Sequence, residues 1–199
     1  MRIADRPFAG DARLAALAKR AIKFSSPNMQ ELAQIARSLG YPGPLPTKSM
    51  DEYATVDELL ADVTPVGIFV NATIDHVLVT LGHHGVAVFR RTGPTVPFFD
   101  GNGQYQQPAS TSTVSSQGRF YPGRTLAHIV NVSGAGDSFT SGFIVAALSG
   151  RSEPVCVNVA LEAAGCALQS RGAVAERYFD ATHPCWAEQK GAEYRALYN

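Results

Sequence analysis

The segment Asn131-Val132-Ser133-Gly134-Ala135-Gly136-Asp137 constrains this chain more than any other. The apolar run Ile129-Val130-Asn131-Val132 reads as a strand, two glycines follow, and a long apolar helix spans 138–149 before Gly150 stops it. A strand end, a glycine turn and a helix start in that order leave backbone N–H groups without partners. They also place the positive end of a helix dipole where an anion can sit. Asp137 stands at that start. A carboxylate there repels a bound phosphate unless it has a task, such as taking a proton from an attacking hydroxyl. The plainer reading is a helix-start acid favoured by the dipole. The segment is not a GxxxxGK[ST] phosphate loop, and the third glycine of a GxGxxG fingerprint would fall on Phe139.

Upstream, residues 12–24 read as a helix, with Leu14, Leu17 and Ala18 on one face, followed by a short strand at Ile22-Lys23-Phe24. Ser26-Pro27-Asn28 opens a helix carrying Met29, Leu32, Ile35, Ala36 and Leu39 at helical spacing, closed by Gly40. A further helix is expected over 51–61. Strands are expected at Val77–Leu81 and Val86–Phe89, with the turn Gly82-His83-His84-Gly85 between them. Residues 101–118, rich in Gly, Gln, Ser and Thr, read as a long flexible loop, and Pro154 begins a helix to about Gln169. Strands alternating with helices predict an α/β fold with a largely parallel sheet flanked by helices.

Two other clusters carry candidate chemistry. Asn28 with Glu31 three residues on has the spacing of a capping box. The same pair could organise the water shell of Mg²⁺, which keeps several waters and few direct protein ligands. Thr80-Leu81-Gly82-His83-His84-Gly85 can wrap a phosphate or ribose, although most such sequences are hairpin turns. Adjacent histidines at a turn tend to point apart, which argues against zinc at His83 and His84.

Charge narrows the partners. Lys+Arg and Asp+Glu both number 17, so the formal charge is zero, which excludes the broad basic field of a nucleic-acid binder and recruitment to anionic membrane. Cys156, Cys166 and Cys185 are an odd set without CxxC, so neither a disulfide framework nor a zinc knuckle is implied. No apolar run is long enough to span a bilayer and Met1–Arg6 has no apolar leader, so a cytoplasmic protein is expected.

Taken in order, Pro27-Asn28-Met29-Gln30-Glu31, Thr80 to Gly85 and Asn131 to Asp137 resemble the PNxxE, TLGxxG and (D/N)xxGAGD elements of the ribokinase-like (PfkB) family of sugar and nucleoside kinases. Arg171-Gly172-Ala173 is similar to a turn found after the last helix in that family. The resemblance covers about residues 20–180 of what reads as one domain over 1–199. It implies an ATP-dependent phosphotransferase acting on a sugar or nucleoside hydroxyl. Asp137 would be the general base, and the amides of Gly134, Ala135 and Gly136 an anion hole. Glu31 with Asn28 would hold hydrated Mg²⁺. Thr80, Leu81, Gly82 and Gly85 would line the ATP phosphates and ribose, and Leu161 and Ala164 would wall the adenine. Ser26-Pro27-Asn28 with Glu31-Leu32, and Asn131-Val132-Ser133, look most like the kinase part of pseudouridine-metabolising enzymes, implying the 5′-hydroxyl of pseudouridine as acceptor. Asn131 stands where many relatives have Asp, which weakens the case for a monovalent cation (K⁺) site.

Full-length members carry a large N-terminal portion ahead of PNxxE, with the first strands and most sugar contacts. The chain therefore resembles an ATP-binding part lacking its N-terminal half, and its expected partners are that half or a second copy in a homodimer. A non-enzymatic nucleotide-binding or partner protein is one alternative. A GDSL-type esterase is the other, with Ser138 as nucleophile, His183 as base and Asp180 as orienter. It leaves PNxxE and TLGxxG unexplained.

Overall fold

The computed structural model describes residues 22–108 and 117–197. The helix expected ahead of residue 22 lies outside them. The elements run β1 (Phe24–Ser25), α1 (Met29–Ser38), α2 (Val56–Asn71), β2 (His76–Thr80), β3 (Gly85–Arg90), β4 (Gln117–Pro122), α3 (Ala135–Leu148), α4 (Glu153–Leu168) and β5 (Arg195–Ala196). The five strands form one sheet in sequence order. Only β1–β2 is parallel; β2–β3, β3–β4 and β4–β5 are antiparallel. The α/β sheet flanked by helices is as expected. Its parallel character is confined to one pair, because the three-residue turn Gly82–His84 folds β3 straight back on β2.

Side chains alternate across this sheet with the two-residue period of strands. Val77, Val79, Ala87, Phe89 and Phe120 pack with α1 and α2, while Leu78, Val86, Val88 and Tyr121 pack with α3 and α4. The result is three layers, helix–sheet–helix. α1 starts as its sequence predicts, at an Asn28 cap. α2 starts at Val56 rather than 51, because the Thr55 side chain accepts from the Glu58 N–H at 3.2 Å. It continues through Pro65 to Asn71, ten residues past the expected end. The carbonyl that Pro65 leaves without a donor belongs to Ala61, on the exposed side.

Two expectations fail. Ile129–Val132 forms no strand: Val130 and Asn131 donate to the Leu168 carbonyl instead, and Ile129, Val130 and Val132 are 57%, 57% and 74% exposed. The loop expected over 101–118 is shorter, since Gln117 and Gly118 already belong to β4 and Asp100–Gln104 is a hydrogen-bonded turn.

Two buried polar centres tie the layers together. The fully buried Glu153 carboxylate accepts from Arg119 Nε at 2.6 Å, Tyr121 Oη at 2.7 Å and Arg90 at 3.3 Å. Asp75 accepts from Lys23, Arg91 and Tyr105, and Tyr105 Oη also lies 2.9 Å from Nε2 of the buried His76. His76 sits between the rings of Phe24 and Phe98, at 4.7 and 4.9 Å. Burial first, and the nearby Arg90, Arg91 and Lys23 charges second, push its pKa down to about 2.

Removing the Glu153 charge strands two buried guanidinium groups. Glu153→Gln is expected to cost about 3–5 kcal/mol in urea unfolding. Acid sensitivity should come from His76. It stays neutral in the folded state but gains a proton in the unfolded chain below about pH 6.5, so its contribution is complete above that pH and lost as pH falls. Stability should decline by about 1.4 kcal/mol per pH unit below 6.5 from this group, and His76→Phe should flatten that slope in urea titrations at pH 7.5, 6.5 and 5.5.

Candidate functional site

The start of α3 is built by a clamp on one glycine. Gly134 has φ of 77° and caps the helix without a side-chain bond. A Cβ there would lie 1.8 Å from the Ala173 carbonyl oxygen, so the Arg171–Ala173 turn can close on the loop only over glycine. Asn131 fastens the same contact, its Nδ2 donating to the Arg171 carbonyl at 3.2 Å and its Oδ1 accepting from Ser133 N–H at 2.9 Å. Gly136 differs: nothing lies within 4 Å of where its Cβ would be. Packing does not demand a glycine there. Its absent side chain leaves the first-turn amides uncovered, beside the exposed carboxylate of Asp137.

Asp137 and Gly134 line a cavity of about 490 Å³ between α3, α4 and the segment 173–186. Its far walls are apolar and aromatic, with Val159 and Ala163 from α4 and Tyr178, Phe179 and Trp186 from the C-terminal segment. The aromatic residues went unnoticed in the sequence, being some 40 positions from Asp137 with no spacing of their own. Leu161 and Ala164, expected on the adenine wall, do not line this cavity. They are half-buried against the core cluster that contains Phe139 and Val157. Beside them Arg124, also not anticipated, pairs with Glu162 and Asn158 of α4.

On the other helical layer, Asn28 and Glu31 form the capping box. Glu31 N–H donates to Asn28 Oδ1 and Asn28 N–H to Glu31 Oε2, both at 2.9 Å. Thr80 at the end of β2 adjoins them, its N–H donating to the Pro27 carbonyl at 2.9 Å. Leu81 is buried, and Gly82 with φ of 55° turns the chain away. Gly85 is glycine for a packing reason, since a Cβ there would lie 2.1 Å from the Tyr121 carbonyl oxygen. His83 and His84 do not point apart; their ring centroids lie 3.9 Å from each other, with the planes tilted by 41°.

The structure thus joins Asn28, Glu31, Thr80 and Gly82 into one surface at the carboxyl ends of β1 and β2. The first turn of α3 meets that edge through Phe139 and Thr140, which share a small cavity with Ser25 and Ser26. Asp137 itself opens to the larger cavity on the α4 side.

Among the described residues no three His, Cys, Asp or Glu side chains converge as a metal cage. Glu31 and Asn28 are exposed, and the box occupies one carboxylate oxygen of Glu31. That leaves a second oxygen for a metal-bound water, a donor set that suits hydrated Mg²⁺ and not a dehydrated ion.

The esterase arrangement is not assembled. Ser138 Oγ pairs with Tyr178 Oη at 2.9 Å, the Asp180 carboxylate accepts from Thr182, and His183 Nδ1 accepts from Cys185 N–H. No described helix is long and apolar enough to cross a membrane.

The two glycines of the helix start should separate by stability. Gly134→Ala should lower stability by more than about 1 kcal/mol, from the positive φ and the Ala173 contact. Gly136→Ala should leave it unchanged or raise it by up to about 1 kcal/mol through helix propensity. Calorimetric melting of both variants checks this.

Comparison with known proteins adds the following. The profile of the pfkB family carbohydrate kinases matches residues 11–177. A ribokinase from Arabidopsis thaliana is 27% identical over 153 residues, which are 77% of this chain and 30% of that protein. The crystal structure of ribokinase from Cryptococcus neoformans in complex with ADP superposes with a TM-score of 0.55 at 20% identity, over 81% of this chain and 46% of that one. Adenosine kinase from Sinorhizobium meliloti gives 0.50 at 19% identity, over 85% and 38%. The chain therefore spans less than half the length of each of these relatives.

Proposed function

Because the chain belongs to the pfkB family of carbohydrate kinases, we propose that it supplies the nucleotide side of a phosphotransferase that moves the γ-phosphoryl group of ATP to a sugar or nucleoside hydroxyl. The observation that carries this reading is the helix start at Gly136-Asp137. A glycine with no packing reason uncovers backbone amides next to an exposed carboxylate. An anion site and a proton acceptor side by side are what phosphoryl transfer to a hydroxyl needs.

Each group then has a task. Asp137 orients the acceptor hydroxyl and takes its proton as the oxygen attacks. The amides of Ala135 and Gly136, with the α3 dipole behind them, stabilise charge on the transferring group. Thr80 to Gly85 line the phosphates and ribose. Mg²⁺, held through water by Glu31 and Asn28, would neutralise phosphate charge. For adenine, Leu161 and Ala164 remain the assigned wall on α4, and Arg124 lies beside it. Asn131 is given a loop-fixing role, since both ends of its amide are already bonded. The acceptor is assigned to pseudouridine on the residues 26–32 and 131–133 that resemble pseudouridine kinases.

The test is calorimetry followed by turnover. ATP–Mg²⁺ should bind this chain more tightly than pseudouridine does, because the matched motifs are the nucleotide-side ones; no binding at millimolar ATP would overturn the reading. In a longer protein or a complemented pair that phosphorylates pseudouridine, Asp137→Asn should lower kcat by about 10²–10⁴ with a smaller change in KM. Ser138→Ala should keep most activity. Alone, the 199-residue chain should turn over little, since an acceptor not held near the γ-phosphate forfeits up to about 7–11 kcal/mol of proximity.

A further inference from the structure

Three exposed apolar side chains from separate segments gather at one cavity. Val145 of α3, Val174 and Tyr178 are 53%, 70% and 39% exposed, and all three line the space of about 490 Å³ beside Asp137. Apolar groups concentrated at a concave surface are a recurrent feature of ligand sites. Behind them, Val159, Ala163, Phe179 and Trp186 close the wall. Tyr178 and Trp186 are held by their polar ends. Tyr178 Oη lies 2.9 Å from Ser138 Oγ and accepts from Ala175 N–H at 3.3 Å, and Trp186 Nε1 donates to the Asp180 carbonyl at 3.0 Å. What these two side chains add to the cavity is therefore ring surface, fixed before anything binds.

Charge decides which reactant this lining suits. Among the described residues that form it, Asp137 alone is charged. A triphosphate placed here would meet a carboxylate and no cation. The surface of Asn28, Glu31, Thr80 and Gly82 lies beyond the other side of the first turn of α3, past Phe139 and Thr140. That leaves the cavity to a neutral molecule. Its volume falls within the range of about 300–1,000 Å³ that holds drug-sized ligands. A free pentose would press hydroxyls against Val159, Ala163 and Phe179, whose side chains return no hydrogen bond. A nucleoside divides as the cavity does. Its sugar matches Asp137 and Ser141, one turn apart on α3, and its planar base matches the rings.

We propose that the cavity beside Asp137 is the acceptor's subsite, and that Tyr178, Phe179 and Trp186 make it selective for a nucleoside over a free sugar. The base lies against these rings while the ribose directs its 5′-hydroxyl to Asp137. The role given to that hydroxyl rests on the phosphotransferase reading; the ring contact does not.

Trp186 is the chain's single tryptophan, so its emission reports on the cavity wall. Titrating the full chain with pseudouridine at millimolar concentrations should change that emission saturably, and ribose should not. ATP–Mg²⁺, followed by calorimetry, should bind without displacing pseudouridine. Tyr178→Ala should weaken pseudouridine at least about fivefold, the lower end of what a base gains from an aromatic ring. Tyr178→Phe, which keeps the ring, should restore most of that affinity, and ATP–Mg²⁺ binding should be unchanged in both. Val145→Asp alters the cavity from α3 at a side chain already half in solvent. It should weaken pseudouridine with the melting temperature little changed, which keeps the test open should Tyr178→Ala fail to fold. Ribose binding as well as pseudouridine, displacement of pseudouridine by ATP–Mg²⁺, or full affinity in folded Tyr178→Ala or Val145→Asp overturns the proposal. ATP–Mg²⁺ binding without any pseudouridine signal overturns it and leaves the phosphotransferase reading standing. Pseudouridine binding to a chain that does not bind ATP supports the ring contact and overturns that reading.

Discussion

One buried carboxylate holds the described structure in register. Glu153 begins α4, where its own N–H donates to the Pro94 carbonyl. Its side chain meets Arg90 of β3 and both Arg119 and Tyr121 of β4. Both arginines also reach the connecting loop, Arg90 donating to the Val96 carbonyl and Arg119 to the Thr92 carbonyl, while Arg119 donates to Gln117 Oε1 within β4 and Arg90 lies 4.1 Å over the Phe98 ring. Such an arrangement is close to all-or-none. A guanidinium deprived of its carboxylate in this interior is far worse than a pair never buried. The network therefore fixes where α4 starts on the sheet. α4 in turn sets α3, because Gly142 lets the helices approach until a Cβ there would lie 2.9 Å from the Ala163 Cβ. The placement of Asp137 thus depends on a residue remote from it in sequence and buried on the far side of α4's start.

Most of the fold was legible where a local signal and the tertiary partner agree. α1 carries its cap, its periodic apolar face and its closing glycine in the thirteen residues Asn28 to Gly40, and it forms as read. The hairpin of β2 and β3 follows from two apolar runs around a glycine turn. What failed were readings that require knowing the neighbour. Ile129–Val132 has the apolarity of a buried strand, but no described strand lies alongside it, and its N–H groups turn to Leu168. β4 has the reverse problem. Gln117-Gly118-Arg119 looks like loop, and only the distant Glu153 makes a buried arginine tolerable in a strand.

The candidate site divides in the same way. Its backbone parts were legible, because glycines and helix starts impose their geometry locally. Its walls were not. Tyr178, Phe179 and Trp186 reach the Asp137 cavity from a segment of turns and a short 3₁₀ helix (Pro184–Trp186), placed by contacts such as Trp186 Nε1 to the Asp180 carbonyl. The capping box shows why the two readings of Asn28 and Glu31 were never exclusive. A cap needs one oxygen of a carboxylate, and an outer-shell metal contact needs the other.

Glycines offer a way to tell the two kinds of constraint apart. Gly85 and Gly134 are explained completely by what their missing Cβ would strike, a carbonyl of Tyr121 and one of Ala173. A fold requires them whatever it does. Gly136 sits in a helix, where glycine costs up to about 1 kcal/mol against alanine, and faces open space. A residue that weakens its own helix and relieves no contact leaves its side of the helix start open to a group from outside. At a helix start beside a carboxylate, that open side suits the phosphoryl group and acceptor hydroxyl we propose for this site.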